Sequence, residues 1–169
     1  MIWQFNGSRK PEFAEEKKKG QESVWEYPRP PSLETVSRHI LVKTDSFTVA
    51  ETREAIRILE TASPPSYYLP PTSLKTNLFE RSDKSFCEWK GIANYLALDD
   101  LNSEPIAWVY KDPTFDFSSI RNYVGFYPAR IECWLDGELV KPQPGLFYGG
   151  WVTDDLVGPF KGEPGTGWW

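Results

Sequence analysis

The chain has 169 residues, with 24 acidic and 19 basic side chains, a formal charge of −5, one histidine and two cysteines. It also carries 8 Trp, 8 Tyr and 10 Phe. The length suits one domain and the 40% apolar content suits a real core, while the acidic balance argues against nucleic acid or an anionic membrane as partner.

One histidine and two cysteines cannot fill a four-ligand zinc site without carboxylates. A Ser-His-Asp triad would have to run through His39. No metal and no cofactor is therefore expected. The opening residues 1–6 lack a cationic segment followed by an apolar run, so they do not read as a secretory signal. No stretch approaches the ~18 apolar residues of a membrane span. The expectation is a cytoplasmic, soluble protein with Cys87 and Cys133 as reduced thiols, a disulfide between them being the weaker alternative.

Residues 1–23 hold a Glu15-Glu16-Lys17-Lys18-Lys19-Gly20 run and read as a polar, flexible arm. Residues 24–141 carry the patterned sequence. His39–Lys43 and Phe47–Ala50 predict two strands around a tight turn at 44–46. Ala55–Leu59 fits a strand or a helix, and Ser63-Pro64-Pro65 ends it either way. Ser66–Leu69, between proline pairs, predicts a short extended piece at a sheet edge. A helical turn fits within 72–78. Thr76–Glu80 and Ser85–Trp89 predict a hairpin around Arg81–Lys84, and Ile92–Leu98 with Ile106–Tyr110 the next pair. A short helix is expected within 113–123, and Val124–Tyr127 and Arg130–Leu135 extend the sheet. Asp136-Gly137 is the strongest hairpin turn, leading into Glu138–Val140. Residues 142–169 hold seven of the 12 glycines, four prolines and three tryptophans without any period. They read as an extended wrap pinned by Phe147, Tyr148, Trp151 and Phe160. The class is mainly β, an antiparallel sandwich, barrel or bent sheet.

Alternation along Ala107-Trp108-Val109-Tyr110 puts Trp108 and Tyr110 on one face and Ala107 and Val109 on the other. Both faces are apolar, so one buries against a core and the other meets the wrap or lines a ligand pocket. In Cys87-Glu88-Trp89-Lys90-Gly91, an extended strand points Phe86, Glu88 and Lys90 one way and Cys87 and Trp89 the other. Lys90 beside an aromatic layer suits an anion or, desolvated, a base, whereas a surface Glu-Lys pairing is the plain alternative. Gly91 permits a bulge. A Cys87 nucleophile would need His39 as its base, 48 positions away, and is disfavoured. Arg53, Arg57 and Glu60 form a second polar set in which Arg53 and Arg57 share a face whether extended or helical, and two arginines there suit a phosphate or carboxylate as well as ordinary ion pairs. The glycines of 162–167 lack the Lys-Ser/Thr of a phosphate loop. Asp99-Asp100 and Asp154-Asp155 match no cation loop.

Taken in order, Trp25-Glu26-Tyr27-Pro28-Arg29-Pro30-Pro31, Leu59-Glu60-Thr61, Pro65–Pro70, Cys87–Gly91 with Ala93 and Tyr95, Ala107–Tyr110 with Pro113, Val124–Tyr127 and Asp136-Gly137 resemble the bacterial and fungal domain-of-unknown-function family numbered 427. The resemblance covers about 24–141, and Tyr148–Gly167 looks like the tail of a longer subgroup. It implies bent antiparallel sheets of the β-tent type with one or two short helices, similar to the cereblon ligand-binding domain and the methionine-R-sulfoxide reductases. The zinc and catalytic cysteines of those relatives have no match here. Glu88 departs from the proline of the family's Cys-Pro-Trp/Tyr-Lys-Gly motif, which bears on the turn before Trp89. The family has also carried a nucleotidyltransferase label, but no carboxylate triad supports it. By analogy with ligand sites between β-tent sheets, the resemblance implies a pocket set of Trp89, Lys90, Tyr95, Trp108 and Tyr110.

The leading expectation is a domain that binds an anionic or carbonyl-bearing small molecule in an aromatic-lined cleft of Trp89, Trp108, Tyr110 and Tyr68, with Lys90 or Arg57 recognising the polar group. The alternative is a homodimer or protein-interaction module anchored by the Trp-rich tail. A third reading is a nucleotidyltransferase-like enzyme.

Overall fold

The structure is a computed structural model that describes residues 2–169. Fifteen strands follow in chain order: β1 Glu22–Ser23, β2 Ser32–Val36, β3 Ile40–Lys43, β4 Thr48–Thr52, β5 Ala55–Leu59, β6 Ser66–Leu69, β7 Phe79–Cys87 and β8 Gly91–Ala97. After these come β9 Pro105–Val109, β10 Val124–Phe126, β11 Glu132–Leu135, β12 Glu138–Leu139, β13 Lys141–Pro142, β14 Trp151–Val152 and β15 Leu156–Val157. Short 3-10 turns cover Val24–Glu26, Pro71–Ser73 and Phe115–Ile120, so the protein is mainly β, as its period-2 patterning requires.

A seven-stranded sheet runs in the order β2-β5-β6-β10-β9-β8-β7, and a four-stranded sheet in the order β12-β11-β3-β4. All pairs in both are antiparallel. The main core lies where the two sheets meet. Ile40, Val42, Val49, Cys133 and Leu135 from the smaller sheet pack with Tyr67, Leu69, Ala107, Val109, Val124 and Phe126 from the larger one. Trp151 from the tail completes it, donating its indole N–H to the Phe126 carbonyl at 3.1 Å. Asp136 (φ 49°) and Gly137 (φ 81°) both stand in the left-handed region, as a two-residue hairpin turn needs.

Three local expectations change. The Ser66–Leu69 strand is not at an edge but lies between β5 and β10. Its prolines flank the ladder without entering it, so no donor is lost from the sheet. The expected hairpin around Arg81–Lys84 is one long strand, β7, with an irregularity between Glu80 and Lys84. Its polar residues sit on the exposed side of an edge strand, where Arg81 pairs with Asp83 at 2.8 Å. The chain turns instead at Glu88–Lys90, where Gly91 (φ 101°) re-enters the sheet. Arg130–Leu135 joins the smaller sheet and leaves the larger one at β10.

Both terminal segments dock on the body. Trp25, fully buried, packs edge-on against Phe5 and Phe13, and Trp169 stacks on Phe13 at 5.3 Å. β1 runs parallel to β15, and Gln4 N–H donates to the Trp168 carbonyl at 2.9 Å. Arg29 knots these pieces together. Its guanidinium, 2% exposed, donates to the carbonyls of Phe5, Trp169 and Thr61 at 2.7–2.9 Å and pairs with Glu60 at 3.2 Å. No methylene-length substitute supplies four such bonds. Arg29→Met is expected to lower the unfolding free energy by about 3–5 kcal/mol, measured as the urea midpoint. It should also speed amide exchange in residues 4–13 ahead of the sheet core. An unchanged midpoint would show the knot to be incidental.

Candidate functional site

The face of the larger sheet turned away from the smaller one carries a second apolar cluster. Ile56, Ile58, Tyr68, Ala93, Trp108, Tyr110 and Tyr127 alternate with the main-core residues along their strands, and Phe117 and Ile120 cover one end. The tail and the arm cross the other end without filling it. A cavity of about 390 Å³ remains. It lies outside the two-sheet core, not between the sheets.

Tyr68, Trp108 and Tyr110 make the floor. Trp108 donates its indole N–H to the Tyr68 hydroxyl at 3.2 Å and meets that ring edge-on at 5.8 Å. Gly125 is paired with Trp108 across the sheet, and a Cβ there would come within 2.5 Å of the indole. A Cβ on Gly149 of the tail would overlap the far edge of the same ring. The indole thus lies flat in a slot between two bare backbones, which gives Gly125 and Gly149 their reason.

The turn Glu88–Lys90 forms one wall. Thr114 fixes it twice, through its hydroxyl to the Trp89 carbonyl at 2.6 Å and its N–H to the Lys90 carbonyl at 3.1 Å. Trp89 donates to Glu60 at 3.3 Å, and that same carboxylate oxygen accepts from Arg29. Arg29 lies 4.3 Å from the ring centre of Trp3, which brings the arm onto the rim. In the tail, buried Gln143 receives Gly150 N–H at 3.0 Å and donates to the Lys161 carbonyl at 2.8 Å. That bond sets Lys161, whose ammonium lies 4.1 Å from the Trp3 ring centre and 5.3 Å from that of Tyr148.

Six of the seven residues expected at a site line this one cavity: Tyr68, Trp89, Lys90, Tyr95, Trp108 and Tyr110. Arg57 does not. Alternation places it on the opposite face of β5, where it pairs with Glu22 and Glu34 at 3.0 and 2.9 Å. His39 is a strand-end residue bonded to Glu51 at 2.7 Å, far from any nucleophile role. Trp3 and Lys161 are lining residues that sequence reasoning did not reach, while Glu60 stood only in a polar set with Arg53 and Arg57 and Tyr148 only as a pin of the wrap. The one available signal was that Lys161 is the single basic residue of 142–169.

Two ammonium groups dominate the electrostatics. Lys90 is 9% exposed and Lys161 3%, and neither has a carboxylate within 4.0 Å among the described residues. Desolvation, the largest influence on Lys161, pulls it below the ordinary lysine value, aided by the charge of Arg29. Desolvation acts the same way on Lys90, but Tyr68, Cys87 and Glu60 outweigh it and the group stands above its ordinary value. Burial also raises the Tyr110 and Tyr127 hydroxyls, so both are neutral donors at physiological pH. The free thiol of Cys87 faces the same cavity, beside Lys90 and Tyr110. No cluster of three or more metal-ligating side chains occurs among the described residues.

Gly125→Ala is expected to displace the Trp108 indole and cost about 1–3 kcal/mol by overpacking, read from urea unfolding and a shift in tryptophan emission. An unshifted emission with wild-type stability would contradict the slot. For Lys161 the unfolded chain binds the proton more tightly, so the charged lysine opposes folding at neutral pH, and stability rises with pH between the lowered and the ordinary lysine value. Lys161→Met should therefore match or exceed the wild-type urea midpoint at neutral pH; a fall would show that the lysine is held for stability.

Residues 32–137, well over half of the chain, match the family described as a domain of unknown function (DUF427). No curated protein matches the chain.

Proposed function

The chain belongs to domain-of-unknown-function family 427, and from that premise, which assigns no reaction, we propose that it binds a small anion with a flat, unsaturated body in the cavity on the larger sheet. The observation that carries this reading is the pair of largely buried lysines, Lys90 and Lys161, turned to one tyrosine- and tryptophan-lined space with no carboxylate within 4.0 Å of either among the described residues. Desolvation acts against both charges and is left uncompensated at Lys161, and an anionic ligand is the partner that would offset it. The aromatic floor suits a planar body, because rigid rings give contact area at little cost in entropy. About 390 Å³ lies within the range of small-molecule sites. Glu60 does not oppose an anion, since Arg29 meets its charge; exposed Glu88 stands at the rim.

Calorimetry and tryptophan fluorescence with a panel of aromatic carboxylates and phosphates, each beside its neutral amide or alcohol, test the proposal. The anionic members should bind and their neutral analogues should not. Lys90→Met and Lys161→Met should each weaken binding by about tenfold or more, the scale of one charge-assisted hydrogen bond. Equal binding of charged and neutral members, or none by either, would overturn it.

A second reading, a homodimer, has one observation in its favour. β7 is a sheet edge, and Phe86 (76% exposed) faces Ile92 (54% exposed) across the β7–β8 ladder. Light scattering of the wild type against Phe86→Lys separates the two readings.

A further inference from the structure

Cys87 ends β7 at the point where the chain turns into Glu88–Lys90, and its sulfur opens on the cavity between Lys90 and Tyr110. The second cysteine offers an internal contrast. Cys133 is fully buried in the main core, its thiol bonded only to the Ile131 carbonyl at 3.6 Å, and burial pushes it far above the ordinary thiol value. A reactive cysteine needs access, a cationic neighbour as counter-ion and a donor that can return a proton. Cys87 has all three in the cavity, the ammonium of Lys90, the neutral hydroxyl of Tyr110 and a space of about 390 Å³. Histidine is not required for this arrangement.

Lys161 is an independent pointer to the ligand. It is 3% exposed, its ammonium lies 4.1 and 5.3 Å from the ring centres of Trp3 and Tyr148, and it lines the same cavity. An anionic group held there leaves the rest of the molecule pointing across the aromatic floor.

We propose that Cys87 is a nucleophile of this cavity and takes up soft carbon electrophiles that carry a carboxylate, of which α,β-unsaturated carboxylates are the natural class. This rests on the anion-binding reading given above. In the step, the sulfur lone pair forms an S–C bond to the β-carbon and the C=C π pair moves to the α-carbon. The α-carbon takes one proton, delivered through Tyr110 or Lys90 and replaced from the one that Cys87 gave up. Nothing leaves, and neither oxidant nor reductant is consumed. Lys161 positions the carboxylate and does not react.

Iodoacetate and iodoacetamide test this on the full chain, because they form the same S–C bond with loss of iodide and differ in charge, their intrinsic reactivities being cancelled by the free-thiol reference. Adducts are mapped by peptide mass spectrometry, and rates are compared with those of N-acetylcysteine under the same conditions. Labelling is expected at Cys87 and not at Cys133 in the folded protein. The iodoacetate-to-iodoacetamide rate ratio at Cys87 should exceed that of the free thiol by about tenfold or more. Lys161→Met should return it to the free-thiol value, with Lys90→Met as a second variant. A Cys87 no faster than Cys133, a ratio equal to that of the free thiol, or a ratio that survives both substitutions would overturn the proposal. Cys87→Ala, run in the calorimetric panel, separates the two levels. Anion binding retained there beside an unselective Cys87 in the wild type overturns the covalent step alone, whereas no anion binding by wild type or variant overturns the reading beneath it.

Discussion

The larger sheet is apolar on both faces, and most of what the molecule does structurally answers that one constraint. Strands that alternate Ala107 and Val109 with Trp108 and Tyr110 cannot leave either side to water. One side is closed by regular means, a second antiparallel sheet that meets it with Val42, Cys133 and Leu135. The other is closed irregularly, by a 3-10 segment, the arm and the tail. Irregular covers fit bulky rings less completely than a sheet does, and the difference is the cavity. The site is thus a by-product of how the second face is covered.

Charge follows the same division. Arg29 is held against half-buried Glu60 and three carbonyl acceptors, which offset much of its desolvation although burial still pulls the group below its ordinary value. Lys90 and Lys161 are buried without such an acceptor and rest on aromatic faces, a weak compensation. Around one cavity, then, the protein holds one cation with four acceptors and two that have no carboxylate within 4.0 Å among the described residues. Lys161 stands below its ordinary value while Lys90 does not, so the two are not equivalent even though both are desolvated.

Much of this was legible in the sequence, and the exceptions have physical causes. Period-2 alternation placed Trp108 and Tyr110 on a common face, and it is local, so it survived into the structure. Asp136-Gly137 was readable for the same reason, its turn being decided by two residues. The polar stretch Arg81–Lys84 misled because an exposed edge strand and a turn share the same composition. Pro64-Pro65 and Pro70-Pro71 misled because prolines beside a strand cost the ladder nothing. Arg57 was a plausible anion ligand by chemistry, but one step of alternation turned it to Glu22 and Glu34. Trp3 and Lys161 were out of reach altogether, and Tyr148 was legible only as a pin of the wrap. Their segments have no period, and contacts between residues about 145–160 positions apart leave no local trace.

That last separation sets an order of events. The parallel pairing of Glu22–Ser23 with Leu156–Val157, and the walls built from Gln143, Tyr148 and Lys161, need segments synthesised after those of the two sheets. The two sheets draw on residues 32–139 and have all their strands earlier. During synthesis the Trp108 face is therefore complete as a surface before it exists as a pocket, with its indole and tyrosines exposed to whatever is nearby. The nascent protein is at its stickiest when its scaffold is finished and its lid is not, and vectorial synthesis makes that interval unavoidable.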